Sequence, residues 1–195
     1  MAMVAACFLS LTLTACSNDK AAVKFNATDI TGAAFGKTLA LIDAASQQPR
    51  TLESFKGKAT VVFFGYMFCP DYCPTTMTTL NTALSKMKPE DAAKVQVIFV
   101  TVDPKRDQPK ALNEYVHAFN PTFAGLYGSD EQTATAAKEF KIIYQKAQIK
   151  DENTYLMDHS TQMYAFDPQG RIRLMIRHES GPDAIAADLT TLVKS

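Results

Sequence analysis

The sequence predicts a single α/β domain, with a central mixed sheet, flanking helices and an N-terminal peripheral hairpin. Three observations carry this expectation. Ala59–Phe64 is a β-branched and aromatic run without polar alternation, the pattern of a strand buried on both faces. A segment of helical spacing and a second apolar run follow it, the strand, helix, strand order that builds a parallel sheet. Nearer the C-terminus, Asp167-Pro168-Gln169-Gly170 joins two short apolar runs and signals a hairpin turn.

Length and charge agree with one domain plus a tail. The chain has 195 residues, 47% of them apolar, enough for one well-filled core. Twenty basic and twenty acidic side chains cancel and form no basic stripe, so nucleic acid is not an expected partner. Met1 to Leu13 is uncharged and too short for the roughly 20 residues of a membrane-spanning helix, so it reads as a signal-peptide core. Leu13-Thr14-Ala15-Cys16-Ser17 then resembles the lipobox of bacterial lipoproteins, which implies export and lipidation at Cys16. The positively charged segment that usually opens a signal peptide is missing, which leaves the true start codon open. The expected organisation is a signal peptide over 1–15, a lipidated tether over 16–24 and one domain over 25–195.

Within that domain, Phe25 to Gly36 is rich in turn residues and Leu39–Asp43 is a short strand candidate; together they form the expected peripheral hairpin. Thr51 to Lys58 is a turn that delivers the chain to the buried strand. Met77, Leu80, Ala83, Leu84 and Met87 lie at helical spacing, and Lys88-Pro89 ends that helix. Val95–Val102 is the second core strand. The loop Asp103-Pro104-Lys105-Arg106-Asp107-Gln108-Pro109 follows, with Asp107 placed to cap a helix over Pro109–Phe119. Phe123–Tyr127 is a short extended piece and Asp130–Phe140 another helix. Ile142–Ile149, Met163–Phe166 and Ile172–Ile176 read as strands, and Gly181-Pro182-Asp183 opens a closing helix. A βαβ half followed by an antiparallel hairpin and a helix is the thioredoxin-like arrangement, an inference that rests partly on analogy.

The chemistry gathers at Cys69-Pro70-Asp71-Tyr72-Cys73-Pro74, where the buried strand ends and a helix begins. That edge of an α/β sheet is where ligands bind. The two cysteines are four positions apart, so on a helical backbone their side chains share a face. Pro74 favours the first helical turn and puts Cys73 at or beside the N-cap, where negative charge is stabilised, so Cys73, and Cys69 with it, is expected to ionise readily. A structural disulfide, a redox-active dithiol and a metal site all use such a pair. A metal site needs a third ligand. Of three histidines, His117 and His178 read as partly solvated side chains, while His159 lies in a polar interruption before the strand at 163. Its spacing alone leaves His159 open between a third ligand and a hydrogen-bonded loop residue.

Taken together, Phe64-Gly65-Tyr66, Cys69 to Pro74, Val102-Asp103-Pro104-Lys105-Arg106-Asp107 and Asp158-His159-Ser160 resemble the Sco/SenC family of copper-binding proteins, over a stretch from about Phe25 to the C-terminus. The resemblance implies a thioredoxin-like domain that binds one copper ion through Cys69, Cys73 and His159. Two thiolates and an imidazole suit trigonal Cu(I), and the nitrogen donor also accommodates Cu(II). It further implies a role in assembling the dinuclear copper centre of cytochrome c oxidase subunit II, as copper donor, as thiol reductant, or both, with subunit II or another copper-accepting envelope protein as partner. Such proteins are held to a membrane; here Cys16 would supply a lipid anchor on the periplasmic side of a bacterial envelope. Asp103 and Asp107 match the family loop and serve either partner docking or loop and cap structure. Asp158 is a candidate for orienting the neighbouring imidazole. Of eight methionines, Met67 is nearest the pair, whereas Met77, Met87, Met163 and Met175 fall at core spacing.

Two functions remain in competition. One is a copper metallochaperone; the other is an enzyme, a thiol-disulfide oxidoreductase working through Cys69 and Cys73. His159 discriminates, since a pure dithiol exchanger has no need of it. A thiol peroxidase is disfavoured because no threonine stands a turn before the cysteine, and a redox or copper sensor has no signature here.

Overall fold

The structure, a computed structural model, describes residues 24–195. The expected signal peptide, Cys7, Cys16 and all but the last residue of the tether lie outside the described residues. The central sheet has eight strands: β1 (Thr28–Asp29), β2 (Ala40–Asp43), β3 (Pro49–Thr51), β4 (Ala59–Gly65), β5 (Val95–Thr101), β6 (Ala124–Tyr127), β9 (Met163–Phe166) and β10 (Ile172–Ile176). Across the sheet the order is β1-β10-β9-β4-β5-β6-β2-β3. β4, β5 and β6 run parallel, while β9 lies antiparallel on the other side of β4. Every residue of β4 is buried, which is what its unbroken apolar run requires.

Among the described residues, a short 3-10 helix (Leu52–Phe55) and five α-helices complete the domain: α1 (Tyr72–Lys86), α2 (Pro89–Ala92), α3 (Pro109–Phe119), α4 (Asp130–Glu139) and α5 (Pro182–Leu192). α1 packs against α5 and α3 and buries Cys73, Thr76, Met77, Leu80, Ala83 and Leu84. The fold is thioredoxin-like, with the mixed sheet at its centre and α1 leaving the carboxyl end of its middle strand.

The remaining two strands, β7 (Tyr144–Ala147) and β8 (Leu156–His159), pair only with each other, in a separate antiparallel ribbon. The strand expected over 142–149 is therefore shorter and lies outside the central sheet, and the expected polar interruption around His159 is itself a strand. The peripheral hairpin is formed by β2 and β3 at one edge of the sheet. Its expected first arm instead crosses to the opposite edge, where β1 pairs with β10. Asp188, 3% exposed on α5, fixes that arm by accepting the backbone N–H groups of Asn26 and Ala27, both at 2.8 Å, and the Asn26 side-chain amide at 2.9 Å.

Candidate metal centre

β4 ends at Gly65, and the chain then turns through Tyr66 to Pro70 before α1 begins. Asp71 is the N-cap residue, but its side chain makes no capping bond. The Cys69 sulfur takes that place, accepting the backbone N–H of Cys73 at 3.4 Å. Cys73 is thus the second residue of the helix and Pro74 the third, so Cys73 lies two residues past the capping position. Both cysteines are free thiols, Cys73 fully buried and Cys69 8% exposed.

The helix therefore favours a different thiolate from the one expected. The Cys73 thiol donates to Cys69, and this, with the backbone N–H groups at the helix start, holds Cys69 far below the usual thiol range despite its burial. Sharing that proton, burial and the neighbouring Cys69 charge push Cys73 up. Of the two, the outer sulfur is the one that ionises more readily.

His159 ends β8, opposite Tyr144 in the ribbon. Its ring stands edge-on to Tyr66, with centroids 5.8 Å apart, and to Phe63 at 6.2 Å. Nδ1 lies 2.9 Å from the carbonyl oxygen of Ser160, which can only accept, so Nδ1 is the donor, and of the two tautomers this is the one that leaves the Nε2 lone pair facing the cysteines. Nε2 is 3.5 Å from Cys73 Sγ. Ligand atoms of Cys69, Cys73 and His159 all lie within 4.8 Å of one another. Donors about 2.0–2.3 Å from one ion stand roughly 3.5–4 Å apart in a trigonal plane, so the cluster needs only a small contraction to enclose one. A cleft of about 230 Å³ lined by Tyr66, Cys69, Tyr72 and His159 gives access to it. Phe68 and Tyr72, 54% and 50% exposed, stand beside the outer cysteine.

The larger cavity, about 610 Å³, lies away from this chemistry, between residues 31–37 and the turn before β10. Its Arg171 and Arg173 are both paired with Asp167, so it offers no free pair of cations.

Asp103 and Asp107 both make bonds that structure their loop, one of the two roles expected of them, but the particular cap expected of Asp107 is not formed. Asp107 does not cap α3, whose N-cap is Gln108. It is fully buried, and its Oδ2 accepts Thr101 Oγ1–H at 2.6 Å and the Met67 backbone N–H at 3.0 Å, tying the cysteine loop to β5. Asp103 is 4% exposed and accepts Arg106 Nε–H and the Tyr155 hydroxyl. Buried in this way, neither carboxylate presents itself to a docking partner. Asp158 is exposed, and the imidazole proton goes to the Ser160 carbonyl instead. Met67 contributes its backbone N–H to the loop while its side chain packs at the core edge. His117 is exposed, and His178 Nδ1 meets Thr76 Oγ1 at 2.9 Å.

With the geometry in hand, the comparisons decide the lineage: residues 27–194 match the SCO1/SenC family model. The chain belongs to that family. Among solved structures, it is similar to copper-bound ScoI of Bradyrhizobium japonicum, with 36% identity and a TM-score of 0.74 over 82% of this chain and 99% of the other. It is also similar to apo Sco1 of Thermus thermophilus, with 37% identity and a TM-score of 0.78 over 88% and 99%. Among curated relatives, an SCO2-like protein of Rickettsia conorii is 35% identical over 67% of this chain and 63% of its own length. The mouse mitochondrial SCO2 homologue is 37% identical over 63% and 49%. The chain spans about half the length of the curated relatives it matches.

Sequence reasoning placed the three clustered side chains on the right segments but missed what braces them. Tyr66 stood in the Phe64-Gly65-Tyr66 motif with no role read for it, and Tyr155 carried no signal beyond being aromatic. Arg106 stood in full view beside Lys105 between Asp103 and Asp107, and cations between two acids in a turn were the available sign of a buried ion pair.

Proposed function

We propose that this protein is a copper metallochaperone of the envelope, binding one copper ion through Cys69 Sγ, Cys73 Sγ and His159 Nε2 and passing it to a client. The observation that carries the reading is the convergence of exactly these three donor types, with the imidazole already in the tautomer that leaves Nε2 free. Copper-bound structures of relatives such as the Bradyrhizobium japonicum protein support the choice of metal. Two soft sulfurs favour Cu(I) and the nitrogen makes Cu(II) acceptable. The outer sulfur, the more readily ionised of the two, is the natural first point of contact for an arriving or departing ion. The client in this reading is subunit II of cytochrome c oxidase, and the cargo serves its dinuclear copper centre. Cys16, at the end of a signal peptide over 1–15, anchors the domain of residues 25–195 to the membrane through its lipid, on the periplasmic side.

The test is an anaerobic Cu(I) titration of the reduced domain against a competing chelator, with His159→Ala, Cys73→Ala and Asp158→Asn variants. One ion per chain, held at least tenfold more weakly when His159 or Cys73 is replaced and unchanged in Asp158→Asn, is the expected result. Binding indifferent to His159 would overturn it.

The unequal thiols favour a second activity at the same site. The Cys69 thiolate can attack a client disulfide, forming a mixed disulfide and releasing a client thiolate. Cys73, losing its proton to that thiolate, then displaces the second client sulfur. The client gains two electrons as a dithiol, and Cys69 and Cys73 are left as a disulfide. This reading predicts disulfide exchange that survives His159→Ala and is lost in Cys69→Ala.

A further inference from the structure

The three donors belong to two bodies. Cys69 and Cys73 ride on the central sheet and α1, whereas His159 rides on the β7–β8 ribbon, which makes no strand pairing with that sheet. Something must hold the ribbon in register with the cysteine loop. Arg106 touches both. Its Nη1 donates to the carbonyls of Tyr155, at 2.8 Å, and Asn153, at 3.3 Å, the residues that lead into β8. Its Nε donates to Asp103, whose other oxygen accepts the Tyr155 hydroxyl at 2.9 Å, closing a ring of three side chains. The guanidinium carbon lies 3.6 Å from the centroid of the Tyr155 ring, 4.9 Å from that of Phe68 and 5.9 Å from that of Tyr66. Phe68 adjoins Cys69, and Tyr66 is the ring against which His159 stands.

We propose that Arg106 is the positioning residue of the centre, clamping the His159-bearing ribbon onto the cysteine loop. This rests on the copper reading above and deepens it. The clamp needs a guanidinium. A planar fork can bond a carboxylate with Nε, two carbonyls with Nη1 and lie flat on an aromatic ring at once, which an ammonium cannot. With an 11% exposed side chain, Arg106 does this out of water, where such contacts are strong. Lys105 also reaches the ribbon, through Glu152 at 2.6 Å, but both partners of that pair are largely exposed and it contributes little.

Arg106→Gln, Arg106→Lys and Lys105→Ala test this in two measurements. In the metal-free protein, long-range ¹H–¹⁵N spectra of the His159 imidazole report its tautomer and surroundings. Both Arg106 variants should displace the His159 signals from their wild-type positions, and Lys105→Ala should not. In Cu(I) competition, both Arg106 variants should bind about tenfold more weakly. Placed on a His159→Ala background, they should add less than a twofold loss, because the clamp acts through that imidazole. Imidazole signals unchanged by Arg106→Gln, or a loss of affinity that persists in full without His159, would overturn the proposal. A wild-type protein that fails to hold Cu(I), with His159 signals still moved by Arg106→Gln, would overturn the copper reading and leave the clamp standing.

Discussion

Gly65 offers the most direct perturbation of the cluster, because Cys69, Cys73 and His159 all stay in place. It is the last residue of β4, paired with Thr101, and its backbone is not in a conformation that requires glycine. What it supplies is room. A Cβ there would stand 2.6 Å from Cys73 Sγ and 2.9 Å from Phe99 Cε2. Ordinary contact begins near 3.4 Å, so in Gly65→Ala the sulfur must give way by about 0.8 Å. Metal–ligand distances tolerate about 0.2 Å, so a displaced sulfur leaves the coordination sphere. In the metal-free protein Cys73 can turn its sulfur aside, but on binding copper it must return. The Phe99 clash is common to both states, but overpacking strain of about 1–3 kcal/mol at the sulfur weighs more heavily on the bound state. That strain corresponds to roughly 5- to 150-fold in Cu(I) affinity. The assay is chelator competition on Gly65→Ala beside the wild type, with thiol titration to establish that both cysteines stay reduced and a thermal melt to establish folding. A folded variant with two free thiols and wild-type affinity would refute the packing argument.

Two further substitutions probe the frame around the site. Asp188→Ala strands the Asn26 and Ala27 N–H groups; with charge-assisted bonds worth about 1.5–3 kcal/mol each at best, a loss of about 3 kcal/mol is expected in denaturant unfolding, with β1 amides the first to exchange. Asp107→Asn tests a pH dependence. Burial pushes the Asp107 carboxyl up to about 6, against the Thr101 and Met67 bonds that lower it. Raised above its unfolded value of 3.8, the group binds more protons folded than unfolded, so its contribution weakens the fold as pH rises from about 4 to 6. A difference of about 2 pH units corresponds to about 3 kcal/mol, and that slope should vanish from the stability curve of Asp107→Asn relative to wild type. Parallel curves for the two proteins would show that Asp107 does not titrate in that window.

How far the sequence could be read depended on how local the cause was. Ala59–Phe64 announced a doubly buried strand because burial on both faces leaves no polar residue in the run, and β4 is buried at every position. The cysteine pair announced its convergence because the two are close in sequence, although Cys69 precedes α1 and reaches Cys73 by folding back onto the helix start. Leu156–His159 did not announce a strand, since four residues ending in Asp-His satisfy no periodicity until Tyr144–Ala147 is laid beside them. Asp107 looked like a cap because it stands near Pro109, yet its partner Met67 is 40 positions away. The expected helix-start thiolate was assigned by position along the chain. The structure shifts it to Cys69 because the capping acceptor is a sulfur folded back onto the helix, which spacing does not reveal.

The division between sheet and ribbon also determines which donor can yield. Moving Cys73 would disturb the first turn of α1 and the packing against Gly65 and Phe99, and moving Cys69 would uncap the helix. Moving His159 breaks no hydrogen bond of the central sheet, because β8 pairs only with β7. Its restraints are the edge contacts of its ring with Tyr66 and Phe63, the Ser160–Ile143 backbone bond at 2.9 Å and the Arg106 fork. A bound ion would therefore meet two donors of high mechanical cost and one of low cost. An acceptor that approaches over Phe68 and Tyr72 arrives at the outer sulfur, on the side where the cleft also opens to the imidazole. Loss of the imidazole leaves a two-sulfur site, open to a competing thiolate at the vacated position. If the site works as proposed, release by ligand exchange would demand displacement of the ribbon and leave the hydrophobic core undisturbed, with the strength of the Arg106 clamp setting how readily that displacement occurs.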